Sequence, residues 1–591
     1  MYTHKHRSLA IIVIIVIATL LGAANPIGAR DQSGTAARRV MAFYYPWYGV
    51  PNGPGGAGRT VHWGRIDVAN KDIAASTHYP SLGAYDSHDP KLIDQHCRWA
   101  KDAHIDTLIV SWWGHNSYSD RAMDKILEAC GKHNLNACIY YETVPRPQTA
   151  QSAARDIVRV LNKYGSHSAH LKINGKPVVF VYGRTLQELG LLEWREAAKI
   201  INSDYGPGAT LVGDQFSYGS ARVFDGLHTY NTAGSLQGMD PPEARKWASD
   251  TYQSWVQLAD KAGKISTVTV IPGYDDTKIR KPGLAVERYG GGLYRVQWEE
   301  AIKADPHWVL ITSFNEWHEG SEIEPSHTDG RKYLALTAEY ARSFKASPRA
   351  VHPITASTSG VLSEKDKAQL RERLNSLQIA VLPGADSMAF WWLLDIGVDV
   401  ELLTWEQVVG GELSAKRYPV LLYCAGEHYR RSVRESGDVD KTLKDYLKAG
   451  GCIMALPSLP WPFYYDEDGL AVNRSKEFGL TLRMGWENPP KGEELHFVQP
   501  ERRLRHVPER FVFPPSGDLR WRGFFAGDDT KHLSLLQLRD GENNYLGDGV
   551  TYTELAGAGR VVYAWFGLLN SPHAEPLLYD LFDFVSRKLS N

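Results

Sequence analysis

The 591-residue sequence has few cysteines, and their spacing argues against two common kinds of site. The five cysteines are an odd number, and no two of them form a C-x-x-C pair. A disulfide framework or a zinc-binding cluster would need cysteines at such ordered spacings. Most of them lie inside apolar segments, so we interpret them as small core residues. They are Cys97, Cys130, Cys138, Cys424 and Cys452.

An excess of charge of one sign is also absent. Lys and Arg total 66, Asp and Glu total 68, and the formal net charge is −2. A protein that binds a phosphate backbone normally presents a clustered basic surface, whereas the basic residues here are dispersed along the chain. We therefore expect no nucleic-acid partner.

The apolar run near the N-terminus, from Leu9 to about Leu21, is shorter than the roughly 20 residues that span a bilayer. A short basic segment precedes it, and the small residues Gly22, Ala23 and Ala24 follow it. This layout is typical of an export signal. We predict that residues 1–30 are a signal peptide and that the protein is secreted, periplasmic or at the cell surface. If the segment is an uncleaved anchor instead, the protein is attached to a membrane.

Aromatic residues are abundant, with 18 Trp and 30 Tyr. Their flat apolar faces and polar edges suit the binding of sugar rings, but they equally suit a large core. Composition does not separate these two interpretations.

The length predicts at least two domains.

Between residues 39 and 346, eight β-rich apolar runs alternate with segments of helical periodicity, although the fifth connection, 216–224, has room for only a turn or two. This alternation predicts a (β/α)8 barrel over residues 38–347, with its active site at the carboxyl ends of the strands. The runs are RVMAFYY, DTLIVSWW, NACIYYE, KPVVFVYG, TLVGDQ, DGLHTYN, TVTVIPGY and HWVLITSFNEW.

Aromatic and acidic residues stand at the ends of these runs, and a sugar-cleaving site needs both. The eighth run continues into ITSFNEWHEG, residues 311–320, which carries Glu316 and Glu319 three residues apart. The two acids are either a solvated acidic turn or a catalytic pair. A zinc-binding H-E-x-x-H motif is excluded because Glu322 stands where the second histidine would be. No metal or other cofactor is predicted.

The segment from about 40 to 346 resembles glycoside hydrolase family 99, the endo-α-mannosidases and endo-α-mannanases. Ordered motifs carry this resemblance, and the last of them is the most specific. They are FYYPWYG (43–49), HW (62–63), HYPSLGAYDSHDP (78–90), IDTLIVSWWG (105–114), INGKPVVFVYG (173–183), FDGLHTYN (224–231), IPGYDD (271–276) and SFNEWHEGSEIEP (313–325).

The resemblance implies a retaining, endo-acting hydrolase of α-mannosides or related glycans, with Glu316 and Glu319 as its catalytic pair. Glu316 would take the proton from the substrate 2-hydroxyl, whose oxygen then attacks the anomeric carbon to give a 1,2-anhydro sugar. Glu319 would protonate the leaving oxygen and later activate water. The alternative is a glycan-binding or glycan-assembly protein that keeps the barrel without hydrolysis.

Further residues match positions that line sugar subsites in that family, and we expect them near the substrate. One departure is His228, where the family usually has Tyr, so an altered subsite around the sixth strand and a sugar other than mannose both stay open. The matching residues are Tyr45, His62, Trp63, Trp113, Glu142 and Tyr230.

A linker at 348–374 and a second domain at 375–591 are predicted next. The order of IAVLPG, FWWLLDIG, DVELLTW, YPVLLYCAG, a helix at 438–449 and CIMALP indicates a flavodoxin-like α/β domain. It resembles the amidotransferase-like domains appended to some glycosidases. We predict that it is a non-catalytic accessory domain, because Cys424 falls within a strand and not in a tight turn after one. The oligomeric state is not predicted.

Overall fold

The computed structural model describes residues 37–346, 348–350, 362–426, 429, 432–434, 437–459, 461–465, 474–478, 480, 495–513, 531–555 and 557–590. The predicted signal peptide and residues 351–361 of the predicted linker lie outside these ranges. Within the described ranges, no helix has both the length and the apolar character needed to cross a bilayer.

Eight parallel strands build the first domain, and they are the eight predicted runs. Their order in the sheet is β7-β8-β1-β2-β3-β4-β5-β6, and a parallel bridge between Gly226 and Ile265 joins β6 to the start of β7. The sheet thus closes, and the predicted (β/α)8 barrel is confirmed. The strands are β1 Arg39–Tyr44, β2 Thr107–Trp112, β3 Asn136–Tyr141, β4 Lys176–Val181, β5 Thr210–Asp214, β6 Gly226–His228, β7 Thr267–Val270 and β8 Trp308–Ile311.

Helices cover the outside of the barrel. Asp89 caps the first of them, and Asp240 and Glu243 form a capping box on the longest, so the sequence marks where both begin. The fifth connection holds only a four-residue helix, as predicted. The helices are α1 Pro90–Asp102, α2 Tyr118–Lys132, α3 Ala150–Tyr164, α4 Gly183–Leu189, α5 Leu191–Asp204, α6 Ser220–Val223, α7 Ala233–Leu236, α8 Pro241–Lys261, α9 Gly292–Ala304 and α10 Lys332–Lys345.

The barrel strands are buried on both faces, which explains why they read as continuous apolar runs in the sequence. In β1, Met41 and Phe43 belong to the interior cluster of the barrel. Val40, Ala42 and Tyr44 belong to the cluster between the sheet and the helices. This alternation follows from the two-residue period of a strand.

The second domain has a nine-stranded sheet of order β10-β9-β11-β12-β17-β16-β15-β13-β14. Its first five members are parallel, and their order along the chain is the 2-1-3-4-5 order of flavodoxin-like folds. The other four are antiparallel. The strands are β9 Ile379–Val381, β10 Val400–Leu402, β11 Val420–Tyr423, β12 Cys452–Ala455, β13 Leu495–Val498, β14 Arg510–Phe513, β15 Lys531–Arg539, β16 Tyr545–Glu554 and β17 Arg560–Ala564.

Two expectations for this region need correction. Residues 364–374 of the predicted linker belong to a helix, because Leu370 and Leu374, one turn apart, are buried in the core of the second domain. Cys424 follows β11 directly and does not lie within it. It is fully buried, and burial raises the pKa of its thiol to about 12, so the thiolate that a nucleophile needs is disfavoured there. The helices are α11 Glu364–Leu377, α12 Met388–Asp395, α13 Trp405–Val409, α14 Val439–Lys448 and α15 Ala574–Ser590.

Candidate active site

The segment after β8 crosses the carboxyl end of the barrel and is fixed to β1. The Phe314 N–H donates to the Phe43 carbonyl at 2.8 Å. The Asn315 side chain binds both backbone groups of Tyr45, accepting from the N–H at 2.8 Å and donating to the carbonyl at 3.1 Å. The chain then makes a short 3-10 turn, Trp317–Glu319, and Gly320 ends it in the left-handed region. Both predicted catalytic acids are therefore held at the end of the barrel where active sites lie.

Glu316 is buried, with 2% of its surface exposed. Its Oε1 accepts hydrogen bonds from the Tyr48 hydroxyl at 3.3 Å and from the His318 N–H at 3.1 Å. Its Oε2 accepts none from the described residues, which leaves acceptor capacity for a further donor. Burial raises the pKa of Glu316 well above its usual value, and the negative charge of Glu319 raises it further.

Glu319 has different partners. The Tyr230 hydroxyl donates to its Oε2 at 2.8 Å, and the Arg280 guanidinium lies 3.3 Å from its Oε1. Burial raises the pKa of Glu319, whereas the hydrogen bond from Tyr230 and the positive charge of Arg280 act in the opposite direction. The two acids therefore sit in unequal environments, as a pair with unequal roles requires.

Two more carboxyl groups stand at the carboxyl ends of β3 and β5. Glu142 accepts from the Ser111 hydroxyl at 2.7 Å, and burial raises the pKa of Glu142 to about 8. Asp214 accepts from the N–H groups of Gly183 and Tyr230, and burial raises its pKa to about 6. Because such perturbed carboxyls cluster at functional sites, they mark the same end of the barrel as the acid pair.

The predicted residue Tyr45 lies among these acids. Burial raises the pKa of its hydroxyl, and the charges of Glu142, Glu316 and Glu319 add to that rise in this order. Its ring packs against Trp47 with centroids 4.7 Å apart and against Tyr230 at 6.2 Å. The structure therefore brings five of the predicted site residues together: Tyr45, Glu142, Tyr230, Glu316 and Glu319.

Aromatic rings form one wall of the site. His62 lies exposed at its edge and stacks on Trp47, with centroids 4.5 Å apart and planes within 6°. The Trp113 indole N–H donates to Ser111 at 3.0 Å, and Arg184 lies over its ring. These rings offer the stacking faces that a sugar site needs.

Trp63 does not belong to that wall. It has 0% of its surface exposed and stacks on Tyr48, with centroids 4.1 Å apart. Its indole N–H donates to the Tyr85 carbonyl at 2.8 Å. The structure thus places Trp63 behind Tyr48, the residue that donates to Glu316, and the expectation that it lines a subsite is corrected.

His228 is also away from the subsites. It is fully buried and packs against Phe43, Tyr140 and Phe180, with ring centroids 5.0 to 6.0 Å away. Burial lowers the pKa of its imidazole to about 3, so it is neutral. The departure from the family residue therefore alters the barrel interior beneath the site, and the expectation of an altered subsite is corrected.

Sequence reasoning missed the residues that hold the two acids. Tyr48 also accepts from the Trp317 N–H at 3.0 Å, so a single hydroxyl supports the turn and Glu316. Arg280 contacts both Glu319 and Asp276. Tyr48 lies in the FYYPWYG motif and could have been found there. Arg280 lies in a basic segment without a recognisable motif, so only its position in the fold shows that it contacts Glu319.

The two later acids of the same segment face inward and anchor it. Glu322 is paired with His78 at 2.7 Å and with Arg288 at 2.8 Å, and Arg288 also donates to the Gly320 carbonyl at 2.9 Å. Glu324 accepts from the Trp317 indole at 3.1 Å. In the stretch EWHEGSEIE, two acids thus face the site and two fix the backbone that carries them.

Gly320 is expected to be intolerant of a side chain. A Cβ there would lie 3.0 Å from Thr77 Oγ1 and 3.1 Å from the Asp275 nitrogen, and φ is +54°. A left-handed residue other than glycine costs roughly 1–3 kcal/mol. We expect Gly320→Ala to lower stability by at least that amount and to lower kcat, since Glu319 is its neighbour.

Gly330→Ala is the matched control, because Gly330 has the same φ of +54° and a Cβ added there would have no atom within 4 Å. Thermal unfolding and kcat of both variants separate backbone strain from crowding. Equal behaviour of the two variants would contradict the assigned close packing around Gly320.

Comparison with known proteins agrees with this geometry. A (β/α)8 barrel with paired carboxyl groups at its strand ends is an architecture of glycoside hydrolases. The chain belongs to glycosyl hydrolase family 99, whose family model matches residues 35–340. It is a glycoside hydrolase.

Similar proteins are known from animals and from a bacterium. The chain is 28% identical over 338 residues to the glycoprotein endo-alpha-1,2-mannosidase of Rattus norvegicus, covering 50% of this chain and 70% of that protein. It is 29% identical over 334 residues to the Xenopus laevis protein of the same name, covering 49% and 71%. The solved GH99 endo-alpha-mannosidase from Bacteroides thetaiotaomicron is 27% identical, with 53% of this chain and 99% of that chain covered and a TM-score of 0.45.

Proposed function

We propose that the protein is an exported, endo-acting hydrolase of α-mannosides that retains anomeric configuration through a 1,2-anhydro sugar. Glu316 is the base that takes the proton of the 2-hydroxyl, and Glu319 is the acid that protonates the leaving oxygen and then activates water. The observation that carries this proposal is the acid pair on one turn, with different partners for each acid. The names of the similar proteins support α-mannosides as the substrate class.

The acceptor capacity of Glu316 supports its role as the base. A 2-hydroxyl that donates to Glu316 would supply the partner that its Oε2 lacks among the described residues. The raised pKa of Glu316 also makes its carboxylate a stronger base once it has lost its own proton.

The pair must carry one proton in total for this chemistry. In the absence of substrate, the charge of Arg280 favours the ionised form of Glu319, and burial favours the neutral form of Glu316. A donated hydrogen bond from the substrate 2-hydroxyl stabilises the ionised form of Glu316. We propose that substrate binding thereby shifts the proton to Glu319 and produces the reactive arrangement. The two groups titrate as a coupled pair.

The activity itself is tested by incubating the purified protein with defined α-mannans, α-mannosides and α-glucans. We expect internal cleavage of α-mannans, with the product first released in the α configuration. Binding of these glycans without cleavage would reject hydrolysis and favour a glycan-binding or glycan-assembly role.

Arg280 gives a test of the role of Glu319. Its charge lowers the pKa of Glu319, so Arg280→Gln should raise that pKa. A general acid is active only while protonated, so the alkaline limb of kcat/KM should move to higher pH. Arg280→Lys keeps the charge and should leave the limb closer to that of the parent. A limb that moves to lower pH in Arg280→Gln would contradict the assignment.

Export is the part of the proposal that rests on sequence alone. The motivation is the short apolar run followed by Gly22, Ala23 and Ala24. N-terminal sequencing of the protein from its native host decides it. Met1 retained on a membrane fraction would favour the anchor.

A further inference from the structure

The second domain packs against the active-site end of the barrel. The segment that follows β5 lies at that end and contacts the second domain. The Gln215 amide donates to Asp386 at 3.0 Å, and Arg222 is paired with Asp395 at 2.7 Å. A Cβ on Gly219 would lie 2.2 Å from the Trp391 indole nitrogen, so the Trp391 side chain packs directly on the Gly219 backbone.

A groove of about 660 Å³ lies between the two domains at this contact. This volume is within the range of roughly 300–1,000 Å³ of small-molecule sites. Both domains line the groove, and neither would form it alone. Its lining includes Gln187, Glu193, Asp214, Gln215, Asp386 and Leu402.

Asp214 lines the groove and is also hydrogen-bonded to the candidate active site. One oxygen of Asp214 accepts from the Tyr230 N–H at 3.1 Å, and the other accepts from the Gly183 N–H at 3.0 Å. The hydroxyl of Tyr230 donates to Glu319. A single residue, Tyr230, therefore links the groove residue Asp214 to Glu319.

The lining has the chemistry of a site for a neutral polyol. Asp214, Glu193 and Asp386 contribute carboxylates, Gln187 and Gln215 contribute amides, and the described lining contains no Lys or Arg. Carboxylate and amide oxygens accept hydrogen bonds from sugar hydroxyls. The same carboxylates repel anionic ligands. Leucine side chains, among them Leu402, supply apolar surface for the C–H faces of a sugar ring.

We infer that this interdomain groove binds a distal part of the glycan substrate, beyond the sugars at the cleavage point. The inference rests on the proposed function and gives the second domain a part in selecting long substrates. It predicts that groove variants change kcat/KM for long α-mannan fragments and leave short activated α-mannosides unaffected.

Leu402→Trp tests the inference, because Leu402 is 41% exposed and its replacement by a larger ring fills the groove without disturbing a core. Val512→Trp is the matched control. Val512 is 47% exposed and lies on β14, at the opposite edge of the same sheet from β10, which carries Leu402. Both variants are made in the full-length chain and measured on an aryl α-mannobioside and on a long α-mannan fragment.

For Leu402→Trp we expect kcat/KM on the long fragment to fall by about tenfold, equivalent to about 1.4 kcal/mol, with the short substrate unchanged. Val512→Trp should match the parent on both. Unchanged cleavage of the long fragment by Leu402→Trp, or equal loss on both substrates, would overturn the inference. Failure of the parent to cleave the short substrate would reject the proposed function instead. In that case the affinity of the long fragment for the two variants tests the groove separately. Equal affinities of Leu402→Trp and Val512→Trp would overturn the inference.

Discussion

Replacement of either Glu316 or Glu319 by Gln is expected to reduce kcat/KM on an unactivated α-mannoside by on the order of 10²–10⁴-fold. Gln has nearly the same shape as Glu but neither accepts nor delivers a proton at neutral pH. Glu316 is supported by Tyr48 and His318, and Glu319 by Tyr230, so both side chains keep donors that can bind the remaining amide oxygen. The measurement is steady-state kinetics together with thermal unfolding.

Glu128→Gln is the control for the loss of a negative charge, because Glu128 lies exposed on α2 away from the acid pair. It should keep activity within about twofold of the parent, since exposed surface substitutions away from a site have small effects. If a Gln variant at 316 or 319 turned over normally while folded, the turn after β8 would not be the catalytic site.

A substrate that lacks its 2-hydroxyl is expected to resist the parent enzyme, with a loss of at least about 10²-fold, because its internal nucleophile is gone. This resistance would be diagnostic. Removal of the 2-hydroxyl makes a glycoside more reactive in solution, since an electron-withdrawing group next to the cationic centre is lost. An ordinary carboxylate nucleophile would still attack such a substrate.

The comparison substrate is the corresponding 6-deoxy α-mannoside, which keeps the 2-hydroxyl and loses another. It should be cleaved at a rate much closer to that of the parent substrate. Efficient cleavage of the 2-deoxy substrate would retain the glycosidase and reject the anhydro-sugar route.

The barrel could be predicted from the sequence because its strands are buried on both faces and alternate with capped helices. Those features are local, as in β1 and in the capping box of Asp240 and Glu243. The pair Glu316 and Glu319 could be found for the same reason, since both stand directly after a strand run. The parallel half of the second sheet was recognisable by the same alternation.

The parts that could not be predicted depend on contacts between distant segments. Arg280 meets Glu319 only after β7 and β8 are placed side by side. Trp63 and His228 were expected near the substrate, but both are fully buried. Their burial depends on packing between distant segments, which a local sequence pattern does not predict. In the sequence, the antiparallel strands at 495–554 stand between the fourth and fifth parallel strands of the second sheet. The alternation of strands and helices stops there, so the complete sheet could not be predicted from it.

The measurement that tests the account most directly compares the leaving-group dependence of Glu316→Gln and Glu319→Gln. Each variant is assayed on an aryl α-mannoside with a good leaving group and on a matched substrate with a poor one. A good leaving group needs little protonation, so Glu319→Gln should recover much of its activity on the first substrate, whereas Glu316→Gln should remain defective on both. Equal recovery of the two variants, or recovery of Glu316→Gln alone, would contradict the assigned roles of base and acid.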